Sequence, residues 1–292
     1  MTENMRIDWM QGMEIIPATL IAADNYHLFH HDLNRKLLSQ QVYGLIPRIK
    51  FDINCSISNN LLQIQEIHCD AITRNGQVIQ LHGKYTVTLP PSSMGEFYLV
   101  VKTQGSTHVE INEIPYTDVN YNLEFKPWAE LADGNIFPVI KIRKEGDYWQ
   151  TVDYIPPCFT ISSCRMLIGK YEEMKKIVKE IHGHFLNLHY ADYLEYSFSL
   201  LLSELNFMTK NETPYVFLLL IRKIVGTFFA CEQDLINEGD NFIKNDYDHN
   251  DLQIMLDQAS ILLNKFLEIL IEKGKGTPLP EPPEQEEWVP QI

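Results

Sequence analysis

The feature that most constrains this chain is a change of hydrophobic period at Pro156-Pro157. Before it, apolar and polar residues alternate; after it, apolar residues recur at spacings of three and four. Period two buries one face of a β-strand, whereas alternating three and four keeps one seam on a helix. The break predicts an α+β, multi-domain protein, with an N-terminal antiparallel β-sandwich followed by an antiparallel four-helix bundle.

In the first half, Ile49, Phe51 and Ile53 oppose Lys50 and Asp52. Tyr85, Val87 and Leu89 oppose Thr86 and Thr88, and Tyr121, Leu123 and Phe125 oppose Asn122 and Glu124. Asn75-Gly76, Pro90-Pro91 and Glu145-Gly146-Asp147 punctuate the runs. Asn-Gly tolerates the positive φ of a two-residue hairpin, so Asn75-Gly76 is expected to form one. A helix over roughly Pro17 to Gln40 precedes the strands, with Leu20, Leu28, Leu33 and Leu37 as its expected buried side.

In the second half, one seam runs Leu167, Tyr171, Met174, Val178, Ile181, Phe185, Leu188, and another Leu194, Phe198, Leu201, Leu205, Met208. A third has Leu218, Ile221, Val225, Phe228 and, beyond Glu232, Leu235; a fourth has Leu252, Leu256, Ala259, Leu263, Phe266 and Leu270. Thr213-Pro214 reads as an N-cap with a first-turn proline, and Gly274 as a stop. The expected boundaries are 1–22 for an N-terminal arm, 23–158 for a β-rich domain with one N-terminal helix, 159–275 for the bundle, and 276–292 for a Pro/Glu-rich solvated tail.

Charge and chemistry narrow the function. The formal net charge of −15 disfavours a broad grip on nucleic acid or anionic lipid. The odd count of five cysteines, without C-x-x-C, fits neither a disulfide scaffold nor a zinc ribbon. The start lacks the apolar core of a signal peptide, and Arg222 and Lys223 interrupt the most apolar stretch, so a cytoplasmic protein without membrane insertion is expected. His27 and His31, four apart with Asp24 nearby, lack an H-E-x-x-H context and read as a polar helix face. No G-x-S-x-G, P-loop or dinucleotide fingerprint occurs, and no cysteine sits in a local pattern that lowers its pKa. Asp246 to Asp251 lacks the glycine and glutamate of a calcium loop and suits helix capping. No catalytic residue, cofactor or metal is expected.

Two short motifs carry more. Trp9-x-x-Gly12-Met13-x-Ile15-x-Pro17 precedes Leu20, Asp24-Asn25-Tyr26 and Tyr43-Gly44, and Tyr154-Ile155-Pro156-Pro157-Cys158 stands at the junction of the halves. In this order they resemble TssK, the baseplate subunit of the type VI secretion system. The resemblance runs over about residues 5 to 274. It implies a β-rich shoulder, a helical bundle, a homotrimer, and an adaptor linking wedge subunits of the TssF and TssG type to the envelope complex. Where that family has Pro-Gln-His-Phe, this chain has Pro17-Ala18-Thr19-Leu20. The chain also stops soon after Gly274, where the family continues into a head domain, so a short, divergent branch of the Bacteroidetes type is implied. Recruitment to the inner face of the inner membrane follows from the same resemblance.

The expected wedge contact is the arm: Trp9, Gly12, Met13, Ile15 and Pro17. Trp288, Val289 and Ile292 are more apolar than a solvated tail requires, and form a candidate docking peptide in place of the head. Met255, Leu262 and Ile269 repeat every seven residues beside the main seam and are the candidate oligomer contact. Two other readings exist. A phage-tail-like receptor-binding or tail-assembly protein would bind glycans or protein at the β domain, with Trp128 and Trp149 as candidates; a hydrolase would need carboxylates or a Cys–His pair in a cleft.

Overall fold

The computed structural model describes residues 43–47, 51–91, 95–111, 114–188, 192–231, 242–244 and 246–276, with scattered positions between 16 and 31. The alternating half builds two four-stranded antiparallel sheets. In the first, β3 (Leu61–Ile72) pairs with β1 (Gly44–Leu45), β2 (Asp52–Ser58) and β4 (Val78–Thr88). The second runs in the order β6 (Ile114–Pro127), β5 (Gly95–Ile111), β7 (Ile136–Glu145), β8 (Tyr148–Val152).

Alternation explains the first sheet well. Ile79, Leu81 and Val87 of β4 are buried between exposed neighbours. In β3 the parity flips midway: Leu62 and Ile64 are buried, then Ile67, Cys69 and Ala71. A bulge at Gln65 and Glu66 shifts the register against both β2 and β4. One extra residue moves every later side chain to the other face, so Glu66, His68 and Asp70 alternate with the buried set. In the second sheet the pattern is denser. Tyr98 to Val101 of β5 are buried in succession, as are Ile136 to Ile142 of β7, so both faces of these strands are covered.

The two-residue hairpin expected at Asn75-Gly76 sits elsewhere. Asn59 and Asn60, at φ of 50° and 59°, connect β2 to β3 in the left-handed region that a tight primed turn demands. Thr73 to Gln77 make a wider turn instead, in which Thr73 N–H donates to Gln77 O and Gly76 N–H to Thr73 O. Gly146-Asp147 does join β7 to β8.

After Pro156-Pro157 come four long helices: α1 (Arg165–Asn187), α2 (Asp192–Phe207), α3 (Pro214–Cys231) and α4 (Leu252–Gly276). The seams read from the sequence are largely their buried sides: Leu167, Met174, Val178, Ile181, Phe198, Leu205, Leu218, Ile221, Leu256, Ala259 and Leu263 are all within 1% of fully buried. Thr213 caps α3, its Oγ1 accepting from Val216 N–H at 3.4 Å. Helix α4 passes Gly274 and ends at Gly276. Described positions from Pro17 to His31 are helical, but Leu20 is exposed rather than buried, and Leu28, Leu33 and Leu37 lie outside the described residues, as does Leu235.

The expected all-antiparallel order fails at α4. His182 meets Ser199 and Tyr171 Oη donates to Met208 O, so α1 and α2 are antiparallel. Glu204 meets Lys223 and Phe198 meets Phe228, so α2 and α3 are antiparallel too. Yet Lys170 pairs with Asp257 and Glu173 accepts from Ser260, so α1 and α4 advance together. The connection from α3 to α4 spans residues 232–251, of which Phe242 to Lys244 are helical. It is long enough to carry the chain back along α3, whose 18 residues rise roughly 27 Å.

Two compact units result: Met1–Gly169 with Thr209–Phe217 and Tyr247–Ile254, and Lys170–Met208 with Leu218–Asp246 and Met255–Ile292. The core of the second holds a run of rings, Phe185–Phe198–Phe228–Phe266, with one from each helix in turn and the last pair stacked 3.9 Å apart.

Candidate interaction site

Tyr43-Gly44 and the Pro156-Pro157-Cys158 segment meet in space, within the first unit. Gly44 has φ of +133°, and a Cβ there would lie 2.4 Å from the Pro157 carbonyl carbon and oxygen. Only glycine lets the backbones approach so closely. The approach is fixed by hydrogen bonds: Leu45 N–H donates to Pro157 O at 2.8 Å, and Phe159 N–H to Leu45 O at 3.1 Å. Leu45 and Cys158 form a parallel bridge. Tyr154 joins Tyr98, Val100, Leu131 and Ile136 in a buried cluster.

A third segment, Tyr247 to Asn250, whose sequence suits helix capping, completes the junction. Tyr43 Oη donates to Asn250 Oδ1 at 2.8 Å, and Tyr154 Oη to the Asn250 carbonyl at 3.1 Å. His249 Nε2 lies 2.6 Å from the Tyr43 carbonyl, which can only accept, so Nε2 carries the hydrogen. Nδ1 then accepts from Tyr247 Oη at 2.5 Å. Burial pushes the His249 pKa down to about 4, overriding the upward pull of the Tyr43 carbonyl and Asp248. Burial also pushes the Tyr43 hydroxyl up to about 12. Both rings are therefore neutral near pH 7, as a satisfied buried network requires. The capping expectation holds as well: Asp248 Oδ1 accepts from Asn250 N–H, and Asp251, just ahead of α4, accepts from Ile254 N–H.

Cys164 corrects the expectation that no cysteine has a lowered pKa. It stands just before α1, where a hydrogen bond from Cys158 and the N–H groups of Leu167 and Met166 outweigh burial and bring its thiol to about 7. It is 3% exposed, which shields it from reagents.

Of the residues expected to bind partners, Trp9, Gly12, Met13, Ile15, Trp288, Val289 and Ile292 lie outside the described residues. Pro17 is helical and exposed, beside exposed Ile16, Leu20 and Ile21. Met255 and Leu262 are each 7% exposed and Ile269 is half-buried, so the first two pack within their own chain. The exposed large apolar residues of α4 are Ile254 and Ile261, each one residue earlier than expected, and Ile271. A stronger outer seam is on α2, where Tyr193, Tyr196, Leu200 and Phe207 are 67%, 73%, 52% and 83% exposed. Their spacing of three, four and seven is legible in the sequence, interleaved with the buried seam of Leu194, Phe198 and Leu205. Trp128 is exposed and tilts against Tyr98, while Trp149 is half-buried edge-on to Phe97. His27 and His31 are exposed.

Among the described residues, no group of three or more His, Cys, Asp or Glu could hold a metal ion, and no helix is long and apolar enough to cross a membrane.

No family model and no curated protein matches the chain. Solved structures do. The crystal structure of TssK gives a TM-score of 0.61 at 12% identity, covering 90% of this chain and 72% of that one. TssK from the type VI secretion system of EAEC, in complex with a nanobody, gives 0.60 at 12%, covering 85% and 68%. A chain of the TssK–TssF–TssG baseplate subcomplex, seen by cryo-electron microscopy, gives 0.63 at 13%, covering 91% and 99%. At this identity the likeness is one of fold.

Proposed function

We propose that this chain is a structural subunit of a type VI secretion baseplate, acting by holding other proteins rather than by transforming a molecule. The observation that carries this reading is the fold likeness to TssK over nine-tenths of the chain. The meeting of Tyr43-Gly44 with Pro156-Pro157-Cys158 supports it, because the residues that suggested the family also build one junction.

In this reading the arm at Trp9, Gly12, Met13, Ile15 and Pro17 contacts wedge subunits. One fold relative is part of a complex with TssF and TssG, which makes proteins of that kind the first partners to test. The chain works as a cytoplasmic homotrimer linking the wedge to the envelope complex at the inner face of the inner membrane. Its outer seam on α2 is the subunit contact, since four large side chains at heptad-like spacing favour another helix. The tail residues Trp288, Val289 and Ile292 contact the envelope complex in this reading, which takes the chain as a Bacteroidetes-type branch.

The test is affinity capture after co-expression with wedge proteins of the TssF and TssG type from the same source. Stoichiometric co-elution is the expected outcome; no co-elution at micromolar concentration overturns the reading. Trp9→Ala should weaken capture about tenfold with an unchanged circular dichroism spectrum, the loss of one aromatic anchor. If that variant unfolds, Trp9 belongs to the chain's own core and the wedge contact lies elsewhere.

A further inference from the structure

The bulge in β3 has a chemical consequence on the face opposite the buried Ile67, Cys69 and Ala71. It sets Glu66, His68 and Asp70 together on that face, and the register places His68 directly across from His82 of β4. The two rings converge, with His68 Nδ1 lying 3.2 Å from His82 Nδ1. The far nitrogens are each held by a carboxylate: His68 Nε2 is 3.0 Å from Glu66 Oε1, and His82 Nε2 is 2.9 Å from Asp70 Oδ1.

A carboxylate only accepts, so each Nε2 carries a hydrogen. The two Nδ1 atoms, both bare acceptors in these tautomers, then lie 3.2 Å apart, an arrangement that a cation bound to both relieves. That cation is either a single proton, which makes one ring imidazolium, or a metal ion. The spacing suits a metal. Two nitrogens each about 2.05 Å from a zinc-like ion stand roughly 2.9 Å apart at a right angle and roughly 3.3 Å apart at the tetrahedral angle. A carboxylate on the outer nitrogen of each ligating histidine is also the usual support in metal sites, fixing the tautomer and the ring plane. The rings are accessible, with side chains 44% and 40% exposed, while Asp70 at 9% is a rigid anchor.

We propose that His68 and His82 form a cross-strand chelate for a divalent transition-metal ion of the zinc and copper class, bound through both Nδ1 atoms, with Glu66 and Asp70 orienting the rings. Imidazole selects this class over magnesium and calcium, which prefer oxygen. No third His, Cys, Asp or Glu among the described residues completes the set, so the ion keeps positions open for water or for a donor from another protein. The site is independent of the baseplate reading.

The experiment is a zinc titration of the full chain at pH 7.5 in competition with a chromophoric chelator, paired with copper EPR. One saturable equivalent is expected, with a copper spectrum showing two nitrogen ligands. His68→Ala and His82→Ala should each weaken binding at least tenfold. Glu66→Gln and Asp70→Asn, which keep both ligands, should weaken it about tenfold through lost orientation. The exposed pair His27 and His31, four apart on a helix, is the competing site; His27→Ala with His31→Ala should leave binding unchanged. Circular dichroism of each variant separates lost binding from lost fold. Absence of saturable zinc binding, binding retained in a folded His82→Ala variant, or binding lost only with His27 and His31 would each overturn the chelate and leave a proton shared between the rings.

Discussion

A Cβ on Gly44 would meet the Pro157 backbone at 2.4 Å, and the atoms it strikes belong to a main chain that Leu45 and Phe159 hold in place. Nothing there is the end of a flexible side chain. Gly44→Ala should therefore cost about 3 kcal/mol or more, combining strain at positive φ with the backbone clash. A urea midpoint indistinguishable from the parent would show that the junction can open without penalty. His249 gives a second prediction at this scale. Its folded pKa of about 4 lies below the ordinary 6.5, so between those values the unfolded chain binds more protons than the folded one. Stability from this ring is fully present above about pH 6.5 and is lost as the pH falls toward 4, a total on the order of 3 kcal/mol. Urea midpoints measured from pH 7 to pH 5, above the main carboxylate range, should fall in the parent and fall less in His249→Gln. Equal slopes in both would mean that the ring is not held neutral by burial.

Among the described helices, α2 carries the most exposed large side chains opposite its buried seam. Phe198 and Leu205 are fully buried, while Tyr193, Tyr196, Leu200 and Phe207 face outward. A helix apolar on both sides is expected to have a second helix to cover the outer one. Under the proposed function the parent is a trimer, and Leu200→Glu with Phe207→Glu should leave the helical core intact while reducing the light-scattering mass to that of one chain. A parent mass already equal to one chain at micromolar concentration contradicts the trimer. The ring run of the same unit tests packing instead. Phe228 touches both Phe198 and Phe266, so Phe228→Ala should cost about 3–5 kcal/mol in thermal or urea unfolding. Strand β3 shows the converse case, in which a single bulge turns one strand's face from core to chemistry at Glu66.

For the whole molecule, the net charge of −15 argues for protein partners with basic faces, whose association rates should fall as salt rises. Under the proposed function the arm contacts wedge proteins and the tail contacts envelope components. Deleting residues 277–292 should abolish capture of envelope components and leave capture of wedge proteins unchanged. If envelope capture survives, the tail is not the envelope contact.

Local periodicity was enough to determine the class of each half, the seams of the four long helices and the N-cap at Thr213. Each of these depends only on residues within one or two turns, where spacing dictates which side meets solvent. The direction of α4 depended on a connection whose path no period records, and the tight hairpin went to Asn59-Asn60 because register, not the Asn-Gly signature, chose the turn. The site residues divide the same way. Pairing across strands brought His68 to His82, and long-range contact brought His249 to Tyr43, over 206 positions of sequence. Such meetings follow from the lowest free energy of the whole packed chain, and only the tertiary structure could decide them.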